Sequence, residues 1–599
     1  LCSPHMARAK EQTLSPWLQG PASDLLLGCG LLYAGVFAYL SLISADAMLS
    51  GSTWLAAAVI LLTGVPHYGA TLLRVVEHPQ ARAQYKRWTT WSGLIVWGIF
   101  ALGLYQQYVG SLLLTTYLCW SPWHYTLQNY GIALMFLRRR GIETDQRARR
   151  LLYASFILSF ALTMIVLHGQ AAGGIYVPIS FAGSAFSFIS LGIPLDAQAA
   201  LFTLTLCAYL IALASVLIPL LRAHSMRALL PVLAVIFAQA LWFSVPAAFR
   251  FYGLGQGIAS LSVSSSAQAF MWVGVAHSVQ YLWITDYFAA RSAPAHNHAR
   301  YFMRAVLAGS IIWIAPMILF GPSLLGPLPY DAGLLALAAS AVNIQHFILD
   351  GVIWKLRDEK IAGVLVRNET REDAAPQPAW ARRAFLGVGA LCFAIYAGNI
   401  YEREFGMARA LIAGDFARYE QAEQRLGWLG LAGYKGRSNA ALVYESKGDY
   451  ARAIEQLERS LKEWESPESW SRLCYYYQRA RRSAESRLPC TRAFEMSRTP
   501  DAALQLALVL SVYPEDPARD PARAVVLAED AVRQVGERDP FALNVLGITY
   551  AATGRFDDAM RAASNALYAA QSLGESELAK KIETLLAGYQ RGEAYRPPN

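Results

Sequence analysis

Four histidines stand inside apolar segments of this sequence, where a histidine is costly and therefore indicates a function. They occur in GVPHYGA (His67), SPWHYTLQNYG (His124), GVAHSVQYLW (His277) and NIQHFILDGVIWK (His346). Imidazole nitrogens favour iron, copper or zinc over magnesium or calcium. A lone histidine in such a segment is usually a helix-packing residue. Four of them predict a shared intramembrane metal site, with these four side chains as its ligands.

Each of these histidines has a polar side chain four residues further on, and therefore on the same face of a helix. A metal-bound imidazole donates its second N–H to an oxygen, so such side chains are expected to orient the histidines. Asp350, four residues after His346, is the most suggestive, because a carboxylate inside a membrane needs a partner. The residues expected to surround the four histidines are Thr71, Gln128, Asn129, Gln280, Tyr281 and Asp350.

The composition places these histidines in a membrane protein. The chain has 599 residues, of which 55% are hydrophobic and only 16% are charged, whereas ordinary soluble domains carry about 25% charged residues. The net charge of +9 would suggest nucleic-acid binding in a soluble protein. Here the basic residues lie in short loops between apolar segments, so no nucleic acid is expected. Residues 1–5 look like a cloning remnant ahead of a natural start at Met6.

Apolar stretches of about 20 residues, the length that a helix needs to cross a bilayer, recur up to residue 401. Basic clusters precede the first stretch and follow every second one, a positive-inside pattern that predicts a cytoplasmic amino terminus. An odd number of spans then puts everything after residue 401 outside the cytoplasm. The uncharged segment 171–193 is expected to be re-entrant or surface-lying, because a crossing would move Arg222 and Arg291 to the wrong side. The eleven predicted spans are 22–44, 50–73, 89–108, 111–137, 151–169, 198–221, 228–247, 265–289, 304–321, 331–355 and 383–401.

The remainder of the chain has the composition of a soluble helical domain with an internal repeat. A small residue, an aromatic residue, a glycine and an alanine fall at positions 8, 11, 15 and 20 of two windows, 434–467 and 540–573. This spacing resembles the tetratricopeptide repeat, which implies a stacked helical solenoid. Cys474 and Cys490 should lie on facing helices of this solenoid, where they are either a disulfide or two buried thiols. The predicted fold is thus all-α: a multi-span bundle over 6–401, then an extracytoplasmic repeat domain over 402–599.

The four histidine motifs, taken in order, resemble those of the Brp/Blh-type bacterial β-carotene dioxygenases over roughly residues 50–355. Members of that family are multi-span proteins that cleave a carotenoid with O2, using an iron held by intramembrane histidines. The resemblance implies that His67, His124 and His277 are iron ligands and that His346 matches the last motif histidine. The sequence departs from the family at Tyr281, which replaces a second histidine of the third motif. It also departs at Tyr68 and at the Gln128–Asn129 pair, so we expect an altered metal site and a pocket not shaped for a carotenoid.

The first functional interpretation is an intramembrane metal-dependent oxidase or oxygenase of a bacterial inner membrane, with iron as the cofactor and copper or zinc as alternatives. Asp350 and Tyr281 are the expected catalytic residues, Asp350 by orienting His346 or taking part in proton transfer. The substrate would be a lipid-soluble molecule or a peptide end presented by the repeats, which would bind a protein or peptide partner. The aromatic residues expected to wall the pocket are Trp123, Tyr125, Tyr281, Trp283 and Trp354.

Two other classes of function remain open from the sequence. In one, the four histidines clamp one or two haems for electron transfer; crowding by Tyr68 and Tyr125 argues modestly against this. In the other, the membrane part is a non-catalytic anchor or transporter, and the repeats assemble partners. The remaining histidines are interpreted as solvated or interfacial residues; they are His78, His168, His224, His296 and His298.

Overall fold

The computed structural model describes residues 15–42, 57–77, 79–169, 186–254, 266–292, 296–354, 359–367, 369, 378–431, 433–512, 519–536 and 539–596. Within these ranges all regular structure is helical, apart from one isolated bridge between Gly169 and Ile193, so the all-α prediction is confirmed. Residues 1–5 and most of the segment 171–193 lie outside the described ranges. The chain divides into two compact units, Leu1–Glu404 with Leu426–Leu431 and Phe405–Arg425 with Ala432–Asn599.

The first unit is a bundle of mostly long helices. Two of its helices are preceded by a π-helical turn, Ile60–Gly64 before α3 and Tyr330–Leu334 before α11. The helices are α1 (Pro21–Gly28), α2 (Leu31–Leu42), α3 (Val65–Glu77), α4 (Pro79–Gly103), α5 (Gln107–Arg139), α6 (Gln146–Leu167), α7 (Leu195–Ala223), α8 (Met226–Phe251), α9 (Ser266–Ser292), α10 (His298–Leu319), α11 (Leu335–Ile353), α12 (Glu359–Arg367) and α13 (Ala379–Tyr401).

Among the described residues, seven helices are long and apolar enough to cross a membrane, and α1 with α2, bent by 56°, would supply an eighth. These match eight of the eleven predicted spans. The other three, 89–108, 111–137 and 265–289, fall on α4, α5 and α9. Those helices are long, but α5 and α9 carry many polar side chains and α4 begins with a basic segment. The membrane character of the chain is supported, and the count of eleven spans is not confirmed.

The backbones of α3 and α10 approach each other closely. A Cβ atom added at Gly69 would overlap the carbonyl oxygen of Ala305, and one added at Gly309 would overlap that of Val65. The absence of side chains at these two glycines lets the backbones meet, as small residues commonly do between membrane helices. Because Gly69 lies two residues after His67, this contact fixes the depth and direction of that histidine.

The second unit consists of shorter helices, most of which pack against the next in the chain. Gly448 and Gly554 end two of these helices with φ of +73° and +79°, the left-handed conformation that glycine adopts without strain. Cys474 and Cys490 form a disulfide between the neighbouring helices Pro467–Arg479 and Ser483–Ser497. The helices are α14 (Ala408–Ala413), α15 (Phe416–Trp428), α16 (Lys435–Ser446), α17 (Tyr450–Glu463), α18 (Pro467–Arg479), α19 (Ser483–Ser497), α20 (Pro500–Val512), α21 (Pro521–Val535), α22 (Pro540–Ala552), α23 (Phe556–Ser572) and α24 (Ser576–Gln590).

Candidate metal centre

The structure brings the four sequence-predicted histidines together from α3, α5, α9 and α11, and we call this group the histidine quartet. The imidazole centroids of His67 and His346 are 4.3 Å apart, and those of His67 and His277 are 4.9 Å apart. The His124 centroid lies 4.9 Å from that of His277 and 5.4 Å from that of His346. Each imidazole therefore contacts two others, and the four form a closed circuit in the interior of the bundle.

Four of the eight ring nitrogens of the quartet are buried and have no hydrogen-bond partner among the described residues. Nε2 of His67 lies 2.6 Å from Nε2 of His346. Among the described residues, no hydrogen bond is made by Nδ1 of His67, by Nε2 of His124 or by either ring nitrogen of His277. A buried polar atom without a partner is costly and requires an explanation. A metal ion that accepts these lone pairs is the simplest one.

The donor atoms of the quartet are close enough to share an ion. One nitrogen each of His67, His277 and His346 lies within 4.8 Å of the others, and His124, His346 and a carboxylate oxygen of Asp350 form a second such set. His346 belongs to both sets. The residues present therefore fit a transition metal, since imidazole with one carboxylate is a donor set for iron, copper or zinc. They fit either one ion with several ligands or two ions with His346 between them.

The same geometry bears on the haem alternative. A haem with paired axial histidines lies between two imidazoles on opposite faces of a flat macrocycle. The Nε2 atoms of His67 and His346 are too close for any ring to pass between them. Tyr125 stacks on His277 and Phe347 stacks on His124, at centroid distances of 4.1 and 4.5 Å. Each stacked ring covers one face of the imidazole beneath it. The arrangement favours a compact ion.

Asp350 connects the quartet to a chain of hydroxyl groups. Its Oδ1 accepts hydrogen bonds from the Tyr281 hydroxyl at 2.7 Å and from the Thr71 hydroxyl at 3.2 Å. Its Oδ2 lies 3.3 Å from Nε2 of His346 and 3.7 Å from Nε2 of His124. One carboxylate thus faces two imidazoles with one oxygen and two hydroxyls with the other.

Thr71 sets the orientation of His346. Its Oγ1 lies 3.0 Å from Nδ1 of His346. With Nδ1 protonated and donating to Thr71, the lone pair of Nε2 faces the quartet, which is the tautomer that metal ligation through Nε2 requires. Trp354 adds an outer contact, because its indole N–H donates to the Tyr281 hydroxyl at 3.1 Å.

Two of the expected polar partners, Thr71 and Tyr281, make their contacts across helices rather than along their own helix. Thr71 was expected to support His67 and instead contacts His346. Tyr281 was expected beside His277 and instead donates to Asp350. Asp350 does lie beside His346, four residues earlier on its own helix, and it reaches His124 as well. Spacing on one helix predicted that these three side chains lie near the quartet, as they do, but for Thr71 and Tyr281 it predicted the wrong partner.

Three amide side chains predicted to orient the histidines make no hydrogen bond to their ring nitrogens among the described residues. Gln128 donates to the backbone carbonyl of His277 and to Gln280, and Gln280 donates to Asn129. Asn129 donates to Gln239 on α8, which in turn donates to the Thr126 hydroxyl. This buried amide network joins α5, α8 and α9. It therefore affects the quartet by holding in place the helices that carry His124 and His277.

A cavity of about 360 Å³ opens beside the quartet, within the range of about 300–1,000 Å³ that small-molecule sites occupy. Polar side chains of His124, Tyr281 and Asp350 lie at this cavity, and the rest of its wall is predominantly apolar and aromatic. The lining residues are Trp120, Trp123, His124, Leu127, Gln128, Gly131, Ile132, Met135, Tyr281, Ile284, Phe347, Asp350, Gly351, Trp354, Ile361 and Leu365.

The aromatic wall differs in part from the prediction. Trp123, Tyr281 and Trp354 line the cavity as expected. Tyr125 does not, because its ring is stacked on His277, and Trp283 does not, because its N–H donates to the buried Asp24 at 3.1 Å. The sequence analysis missed Trp120 and Phe347. Trp120 precedes His124 by four residues and Phe347 directly follows His346. Both could have been predicted from their closeness to these histidines in the sequence.

Sequence comparison does not assign the chain to a known family. No protein-family model matches the chain, and no curated protein matches it at a significant level. The case for a function therefore rests on the histidine quartet, Asp350 and the cavity beside them.

Proposed function

We propose that this chain is a membrane metalloenzyme that oxidises an apolar substrate with O2. The histidine quartet would hold the metal, with iron as the expected ion and copper or zinc as alternatives. One observation carries the proposal: four imidazoles, three of which have buried nitrogens without a hydrogen-bond partner among the described residues, converge with Asp350 at the side of a cavity lined mainly by apolar residues. The Brp/Blh-type motifs agree with it and suggest iron.

When bound, the metal would supply a coordination site at which O2 and the substrate meet. The chain's own residues would position the reactants and handle protons. Asp350 holds hydrogen bonds from Tyr281 and Thr71 on one oxygen and faces His124 and His346 with the other, so a proton can pass between the hydroxyls and the metal side of the carboxylate. Trp354 holds the Tyr281 hydroxyl in place.

The cavity wall indicates the class of substrate. Trp120, Trp123 and Phe347 present aromatic faces next to His124, and Leu127, Ile132 and Ile284 continue an apolar wall. Among the residues that the structure describes, none of those lining the cavity is a Lys or an Arg. This mainly apolar and aromatic lining favours a neutral hydrocarbon or aromatic group as the part of the substrate that enters.

Metal content tests the proposal directly. The full-length protein is purified in detergent without chelator, and metals are counted by mass spectrometry in the wild type, His67→Ala and His277→Ala. We expect one or two iron, copper or zinc ions per chain, with the quartet metal reduced at least about tenfold in both variants. The control is His224→Ala, which removes a half-buried histidine outside the quartet. Equal metal content in all four proteins would contradict the proposal.

Filling the cavity separates substrate binding from metal binding. Gly131 lines the cavity, and a Cβ atom there would meet no atom within 4 Å, so Gly131→Phe can extend into the cavity. Gly98→Phe is the matched control, since Gly98 is an exposed helical glycine with equally open surroundings. Membranes containing each protein are exposed to ¹⁸O2, and labelled lipid products are identified by mass spectrometry. We expect Gly131→Phe to keep its metal and lose the product, whereas Gly98→Phe keeps both.

We further propose the eleven-span topology with a cytoplasmic amino terminus, and a tetratricopeptide-type domain outside the cytoplasm that binds a protein or peptide. The glycine turns at Gly448 and Gly554 support the repeat assignment. The Cys474–Cys490 disulfide supports the location, because structural disulfides persist in oxidising compartments. Alkylation of denatured cells tests the location: two further cysteines should react after reduction. The same number of reactive cysteines before and after reduction would place the domain in a reducing compartment.

A further inference from the structure

A second group of metal-ligand side chains lies where α9 ends and α10 begins, and we call it the surface cluster. Nε2 of His296 is 3.0 Å from Oδ1 of Asp286, and Nδ1 of His298 is 2.7 Å from Oδ2 of the same carboxylate. One donor atom from each of the three residues lies within 4.8 Å of the other two. The sequence analysis treated both histidines as solvated loop residues.

The geometry of the surface cluster suits one small cation. Two ligands that each lie 2.0–2.1 Å from a common ion are about 3 Å apart, which is the separation of both nitrogen–oxygen pairs here. The two imidazole rings are nearly perpendicular, at 85° with centroids 4.8 Å apart, and they present different edges to the carboxylate. Two histidines and one carboxylate therefore converge from three directions.

The surface cluster is accessible to solvent, whereas the quartet is almost entirely buried. The side chain of His298 is 73% exposed, that of Asp286 is 21% exposed and that of His296 is 11% exposed. Among the described residues, Asp286 forms no ion pair with an Arg or a Lys, and its two partners are the histidines. A cation entering from solvent would meet the Asp286 carboxylate and two imidazoles, with water completing its coordination.

We propose that Asp286, His296 and His298 bind a divalent transition-metal ion at the solvent-exposed end of α9. Two imidazoles and one carboxylate select zinc, iron(II), cobalt or nickel over magnesium and calcium. The site is separate from the quartet, although one helix serves both: Asp286 follows His277 by nine residues, about 14 Å along the axis of α9. The proposal does not depend on the enzymatic function proposed above.

Zinc titration of the full-length protein tests this inference. The protein in detergent is stripped with a chelator and titrated with ZnCl2 by calorimetry, as the wild type and as His298→Ala and Asp286→Asn. Zinc retained after gel filtration is counted in parallel. We expect each variant to bind one equivalent fewer than the wild type, or to bind that equivalent at least about tenfold more weakly. A large excess of Mg²⁺ should not compete.

Two controls separate this result from misfolding and from the quartet. His224→Ala should bind zinc as the wild type does. His67→Ala should lose quartet metal while keeping the surface equivalent, so the two sites fail independently. Bound zinc should also protect His298 from diethyl pyrocarbonate, with the modified residues mapped by mass spectrometry. Identical zinc binding in the wild type, His298→Ala and Asp286→Asn, together with unprotected His298, would overturn the proposal and leave only hydrogen-bonded pairs.

Discussion

The histidine quartet and the surface cluster use the same side-chain types in opposite surroundings. In the quartet, nearly inaccessible imidazoles keep nitrogens without hydrogen-bond partners, and one carboxylate is shared with a tyrosine and a threonine. In the surface cluster, both histidines are hydrogen-bonded to one carboxylate, and one of them is largely in solvent. Burial therefore makes the first site depend on the packing of several helices. The second depends on a short stretch of chain.

The largest expected effect breaks the packing on which the quartet depends. Gly69→Ala adds a methyl group where the carbonyl oxygen of Ala305 already lies, so α3 and α10 must separate. We expect a loss of about 3 kcal/mol in stability, the upper end of the usual cost of overpacking, because the added methyl group meets backbone atoms that cannot rotate away. Thermal unfolding in detergent and metal content measure it. Gly98→Ala, at an open helical position, should be neutral or stabilising; an equal loss there would contradict the explanation.

Removing the charge of Asp350 tests whether the quartet needs its carboxylate. Asp350→Asn preserves the shape but weakens the interaction with His124 and His346 and the acceptor for Tyr281. We expect the affinity for the quartet metal to fall about 10–100-fold. Competition with a metal chelator of known affinity measures it, and Asp196→Asn at an exposed position of α7 is the control. Unchanged affinity would make Asp350 a structural residue only.

A smaller effect is expected from the hydroxyl that links Asp350 to Trp354. Tyr281→Phe removes the donor to Asp350 and the acceptor of the Trp354 N–H. We expect a loss of about 1.5 kcal/mol in stability and slower product formation, with the metal retained. Tyr153→Phe, at a partly exposed tyrosine of α6, is the control for the labelled-oxygen assay. Product formation at the wild-type rate would remove Tyr281 from the catalytic residues.

The smallest effect belongs to the surface cluster in the absence of metal. His298 is mostly exposed, so His298→Ala should change the free energy of unfolding by no more than about 0.5 kcal/mol. With zinc at about 100 times its Kd, the wild type should gain about 2.7 kcal/mol that the variant does not. Thermal unfolding with and without ZnCl2 measures both. A large loss in the free energy of unfolding without metal would show that His298 stabilises the fold by packing, as the residues of the quartet do.

Sequence reasoning identified the quartet because the cost of a buried imidazole is visible in a linear pattern. Each of the four histidines stands in an apolar segment and has a polar side chain four residues further on, and this recurrence was the basis for grouping them. It did not identify the partners of Thr71 and Tyr281, because these cross between helices whose packing is not encoded in spacing on either one. Gln239 was missed for the same reason.

The three predicted spans that do not qualify as apolar helices also have a physical explanation. Two of them, α5 and α9, carry His124, His277 and the amides of the buried network, so the residues that build the site lower the apolar character of the helices that hold it. The surface cluster was missed because Asp286 and His296 are ten residues apart around a helix end, where no periodicity applies. Its exposed His298 resembles any solvated histidine.

The short helix α12 has a consequence for how such a protein can diversify. Ile361 and Leu365 of this nine-residue helix form part of the cavity wall, and Arg139 ties the helix to α5 by donating to the Leu365 carbonyl. The helix contributes no ligand to the quartet. Mutations in α12 can therefore change the shape of the cavity without changing a metal ligand. The range of substrates and the metal chemistry can then evolve at different rates.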